Sequence, residues 1–137
     1  MRNCFYALVF IFGIIQSSVV IADSAVLEKV DSLRHNFPAE ARTLLSTINP
    51  AELSASDANT YEYLDIYLST FTSTFEMLLS QYEELLPKVQ SETLRFKVYA
   101  GMMITHQATN KWSEGLALAE KIIDQFEHSD NKTELAP

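Results

Sequence analysis

Residues 110–123, NKWSEGLALAEKII, set a polar opening before apolar residues at helical spacing, with Gly115 one turn inside. A glycine in a helix interior costs about 1 kcal/mol relative to alanine, so Gly115 is expected where another backbone passes too close for a side chain. Counting back in steps of 37 residues from Gly115 reaches Leu78 and then Ala41. The same step links Ala119 to Tyr82 and Leu45, Ile122 to Leu85 and Ile48, and Pro87 to Pro50. Apolar residues alone produce some of this by accident, but the shared prolines do not follow from helical periodicity, so an internal repeat is the first expectation.

Around these positions the apolar residues recur at helical spacing, and no segment alternates as a strand does. The expected fold class is therefore all-α, with six helices. Val26, Leu27, Val30 and Leu33 mark the first, and Pro38 opens the second at a position that suits proline. Ser56 or Asp57 is expected to cap the third, whose apolar face holds Tyr63, Leu64, Tyr67, Leu68 and Phe71. The β-branched run STFTSTF, residues 69–75, is a poor helix interior and is assigned the turn before the fourth helix. Ser91 caps the fifth and Asn110 the sixth.

The first residues bear on location. Arg2 precedes a long apolar run, which the polar Gln16-Ser17-Ser18 then interrupts, so residues 1–22 read as a secretory signal peptide cleaved after Ala22. The alternative is an uncleaved anchor helix, since residues 4–21 approach the roughly 20 needed to span a bilayer. Cleavage shortens the 137-residue chain to 115 and, by removing Arg2, takes the net charge from −8 to −9. Such an acidic chain argues against nucleic acid and anionic lipid as partners, leaving membrane contact only to the leader or to a helix downstream. Cys4 is the only cysteine and lies in the leader, so an exported product would hold no disulfide, which suits a bacterial periplasm.

In the last repeat Asn110-Lys111-Trp112 is similar to the inter-helix turn of the tetratricopeptide repeat, a helix-turn-helix unit of about 34 residues. Gly115, Ala119 and Ile122 fall on the packing positions of its second helix, and Tyr99, Met102 and His106 on large-residue positions of its first. Met103 and Leu78 stand where the family has small residues, and the period is 37. The resemblance implies a right-handed superhelix of antiparallel helix pairs, an α-solenoid of about three repeats over residues 23–130. Its structural repeat positions are Ala41, Leu78, Trp112 and Gly115, and residues 131–137 are the start of a further repeat or a frayed tail.

Taken with the leader, the whole arrangement resembles the extracytoplasmic sensor region of bacterial GGDEF diguanylate cyclases and histidine kinases. That implies an exported scaffold holding a protein or peptide and relaying occupancy to an output domain that this chain does not contain. The alternative is a stand-alone periplasmic ligand-binding or chaperone-like bundle. Tyrosines on first helices would line a concave groove, which makes Tyr61, Tyr63, Tyr67 and Arg95 the candidate partner-binding residues.

No catalytic chemistry is expected. His35, His106 and His128 lie in separate helical regions without ligand spacing, so neither a metal nor a cofactor is assigned. Glu83-Glu84 and Glu114 suit exposed faces of an acidic helical protein better than a paired-carboxylate site.

Overall fold

The computed structural model describes residues 23–127, and every regular element among them is helical. The signal peptide expected over residues 1–22, the further repeat or frayed tail expected over residues 131–137, and His128 lie outside the described residues. The helices are α1 (residues 23–33), α2 (Pro38–Leu45), α3 (Ala55–Leu68), α4 (Phe75–Leu85), α5 (Glu92–Ala108) and α6 (Trp112–Glu127). Short 3₁₀ turns cover Pro50–Glu52, Ser69–Phe71 and Leu86–Lys88. The chain divides after Leu64, within α3, into two compact units.

Local chemistry accounts for the helix limits. Pro38 occupies the first turn of α2, where its missing N–H costs nothing. Ser54, ahead of the expected Ser56 or Asp57, starts α3: its hydroxyl accepts from the Asp57 N–H at 3.1 Å and donates to the Asp57 carboxylate at 2.8 Å. Thr74 accepts from Met77 N–H and Ser91 from Leu94 N–H, both at 3.3 Å, which caps α4 and α5. Pro87 cannot continue α4, and the chain tightens there into a 3₁₀ turn. Pro50 sits in a 3₁₀ turn as well, one capped by Asn49.

Helix beginnings recur at the 37-residue interval: α2, α4 and α6 open at Pro38, Phe75 and Trp112, and α3 and α5 at Ala55 and Glu92. Of the residues at that interval, Ile48, Leu85 and Ile122 are all buried, as are Leu45 with Tyr82 and Ala41 with Leu78. Phe71 departs from its expected place on the apolar face of α3, since the helix ends at Leu68 and leaves the ring 80% exposed.

In the first unit, Leu27 and Val30 of α1, Ala41 and Leu45 of α2, and Tyr63 and Leu64 of α3 are buried. Two polar contacts tie α1 and the segment after it to α3. Ser24 donates to the Asp57 carboxylate at 3.0 Å, and the Arg34 guanidinium, ion-paired with Asp31, lies 5.6 Å above the Tyr63 ring. Slight burial and this guanidinium hold His35 below the ordinary histidine value.

In the second unit α5 packs between α4 and α6. Leu78, Tyr82 and Leu85 of α4 meet the α5 face that buries Leu94, Val98, Gly101 and Thr105. The glycine in close contact here is Gly101. A methyl group there would lie 2.5 Å from Cζ and 2.7 Å from the hydroxyl oxygen of the buried Tyr82 ring. At Gly115 the nearest atom to such a methyl would be His106 Cβ at 3.4 Å, an ordinary contact. The expectation of a forced close approach at Gly115 is therefore corrected: no backbone crowds it. Gly115→Ala should raise stability by up to about 1 kcal/mol through helix propensity alone, and a fall in the melting temperature would show that the site is tighter than its contacts indicate.

Asn110 also has a different role from the one expected. Rather than capping α6, it ends α5 in the left-handed conformation (φ 56°), the only positive φ among the described non-glycine residues. The Lys111 N–H bonds the His106 carbonyl at 2.9 Å and the Asn110 N–H the Gln107 carbonyl at 3.1 Å, the paired closure of a Schellman turn. α6 then begins at Trp112, with its indole on the surface, 61% exposed.

Candidate binding groove

The Schellman turn sends α6 back along α5. Gly115, near the start of α6, adjoins His106, near the end of α5; six residues later Lys121 lies 6.0 Å from the ring of Tyr99, seven residues earlier. The two helices are thus antiparallel, with His106, Tyr99 and Ile122 buried on their mutual contact.

This contact uses only part of the apolar surface. Phe96, Ala100, Met103 and Gln107 follow one another at spacings of four, three and four along α5, and Trp112, Leu116, Ala119 and Ile123 repeat that spacing along α6. Residues so spaced share one helix face. Between these two stripes runs a groove of about 410 Å³ walled by Phe96, Ala100, Met103 and Ile123, in which Gln107 is the only polar residue. A section of about 200 Å³ extends it to Lys111, Trp112 and Leu116. Leu116 is 63% exposed, and Ile104, Trp112 and Ile123 are more than half exposed. Isolated exposed apolar residues are ordinary, whereas a continuous apolar strip in a concavity marks an interaction site.

Charge is distributed unevenly along the groove. At the Phe96–Ile123 end stand the exposed Glu92, Glu120 and Asp124 with the half-buried Arg95 and Lys97, and at the other end stands the exposed Lys111. Glu114, outside the groove, is held below the usual carboxylate range by the Ser113 hydroxyl, which donates to it at 2.7 Å.

None of the four residues expected to form a groove lines this one. Tyr63, expected to be accessible, is buried in the first unit beneath Arg34, because its face of α3 is the one that packs. Tyr61 is half-buried in the same unit. Tyr67, in the second unit, lines a cavity of about 90 Å³ with Phe75, Tyr82 and Gly101. Arg95 is half-buried and donates to the Val89 carbonyl at 2.9 Å, bracing the link between α4 and α5. Leu116, Ile123, Met103 and Ala100 were not singled out as binding residues. The matched spacing was visible in the sequence, but the same pattern serves a buried face equally well. Among the described residues no cluster of histidine, cysteine and acidic groups is placed to hold a metal ion, and no helix is long and apolar enough to cross a membrane. Glu83 and Glu84 are both exposed on α4. No family model, curated protein or solved structure matches the chain.

Proposed function

We propose that this chain is an exported, tetratricopeptide-like helical scaffold that binds a protein or peptide partner. On this reading it is the extracytoplasmic sensory part of a bacterial membrane signalling protein of the diguanylate cyclase or histidine kinase type. The observation that carries the binding role is the uncovered apolar groove between α5 and α6, with Leu116 63% exposed on its wall. The superhelical arrangement is supported by the recurrence of helix beginnings every 37 residues, at Pro38, Phe75 and Trp112. Export rests on the apolar leader, residues 1–22, and on the absence of cysteine after Cys4.

The experiment places a photoreactive benzoylphenylalanine at Leu116 and, as control, at Glu83 on α4, in bacterial cells producing the chain with its leader. A discrete adduct with one exported or membrane protein from Leu116, absent from Glu83, is expected, together with activity of an alkaline phosphatase fusion only when residues 1–22 are present. Equal labelling from both positions, or adducts confined to cytosolic proteins, would sink the proposal. The groove's lack of polar anchors, Gln107 and Lys111 apart, also suits a chaperone-like bundle. A ladder of many adducts from Leu116 would select that reading.

A further inference from the structure

We infer that the α5–α6 groove receives one amphipathic helix from another protein, basic in its N-terminal half and laid antiparallel to α6. The inference rests on the partner-binding reading above and specifies the partner's chemistry.

The walls exclude an extended occupant. An extended peptide leaves its backbone N–H and C=O groups unpaired and needs acceptors and donors along its path, usually a sheet edge. Both walls here are helices, whose backbone groups are bonded internally, and the apolar section offers only the Gln107 side chain. A helix arrives with its own hydrogen bonds made. It also matches the relief: each wall is a stripe with spacings of four, three and four, and Ala100 and Ala119, small residues on facing walls, leave room for a large apolar side chain between them.

Charge sets the direction. Because α5 and α6 are antiparallel, the first turn of α5 and the last turns of α6 share an end, which gathers Glu92, Glu120 and Asp124 there. Arg95 and Lys97 of α5 share that end, Arg95 turned inward to the Val89 carbonyl, which leaves three carboxylates against two cations, while Lys121 lies over Tyr99. A helix docks best with its positive N-terminus and basic side chains at this end and its negative C-terminus at Lys111. That orientation runs from Ile123 toward Trp112, opposite to α6. The net charge of −8 on the chain likewise favours a cationic partner over a second copy.

Trp112 is the sole tryptophan and stands on the groove wall, so its fluorescence reports occupancy directly. The purified protein is titrated with three synthetic peptides of one composition, each carrying leucines at i, i+4, i+7 and i+11. One has its lysines in the first half, one has them in the second half, and one has a central proline. The first should saturate with a blue shift of Trp112 emission, bind about five-fold tighter than the second and at least ten-fold tighter than the third. In the protein, Glu120→Lys should erase the preference between the first two, and Leu116→Asn, a surface change that circular dichroism can verify as folded, should abolish the shift.

Equal binding of the proline peptide, or no preference between the two lysine arrangements, overturns the inference. So does a dimer that the first peptide fails to dissociate, or a Trp112 shift produced merely by deleting residues 128–137, since either identifies a different occupant. These failures leave the partner reading standing, which falls if the Leu116 photo-crosslink in cells labels no more than Glu83 does or reaches only cytosolic proteins.

Discussion

Gly101→Leu is expected to lower the unfolding free energy by about 2 kcal/mol, as overpacking of 1–3 kcal/mol outweighs the propensity gained by removing a helical glycine. The Tyr82 ring makes the site intolerant. Even the first carbon of a side chain at position 101 would fall 2.5 Å from Cζ, and the ring is only 2% exposed. The neighbouring cavity of about 90 Å³ lets the ring yield partly, which keeps the loss below outright unfolding. Removing the ring should reverse the sign: in a Tyr82→Leu background, Gly101→Ala should be neutral or stabilising, because propensity is then the only effect left. Urea denaturation of the four members of that Gly101→Ala, Tyr82→Leu cycle should give a coupling of about 1–3 kcal/mol. Strict additivity would mean that the two residues do not touch in solution.

Leu85→Ala should cost about 2–5 kcal/mol, while Leu116→Ala should stay within about 0.5 kcal/mol of the unsubstituted protein. Both leucines lie on apolar stripes of second-unit helices, but Leu85 is 0% exposed at the end of α4 and Leu116 is 63% exposed on α6. Truncating the first leaves a cavity that the surrounding side chains fill only partly. Truncating the second removes a side chain that water already reaches. Since a domain's total stability is of the order of 5–15 kcal/mol, the first loss is a large fraction of it. Equal losses at the two sites, measured by urea midpoints at constant m-value, would show that the α5–α6 groove is closed in solution and is part of the core.

The contrast between these residues shows how far periodicity reaches. Leu78, Tyr82 and Leu85 read as one apolar face of α4, and that face is buried. Trp112, Leu116, Ala119 and Ile123 follow the same helical spacing, yet they wall an open groove. Spacing says that residues share a face, and burial depends on whether another element covers it. Tyr63 illustrates the opposite error. Its phenol suggested an accessible binding residue, whereas a tyrosine can be buried when its ring packs well, and here Arg34 lies over it.

Boundaries were legible where a single side chain sets them. Ser91 caps α5 as its position suggested, and Pro38 opens α2. Ser54 takes the place of Ser56 or Asp57 as the cap of α3 because a serine three places before Asp57 can bond both its amide and its carboxylate. Asn110 could be read as the start of α6 or the end of α5, and only the left-handed backbone resolves it.

From the sequence alone came the all-helical class, the number of helices and the 37-residue interval that separates the openings of α2, α4 and α6. All of these follow from interactions within a few residues of chain, namely caps, prolines and the 3.6-residue period. The tertiary structure alone decided that Gly101 rather than Gly115 makes the close contact, that Tyr63 is core, and that no other described helix covers the α5–α6 stripes. Each of those depends on which side chain or helix arrives from elsewhere in the chain, a condition that no local pattern encodes.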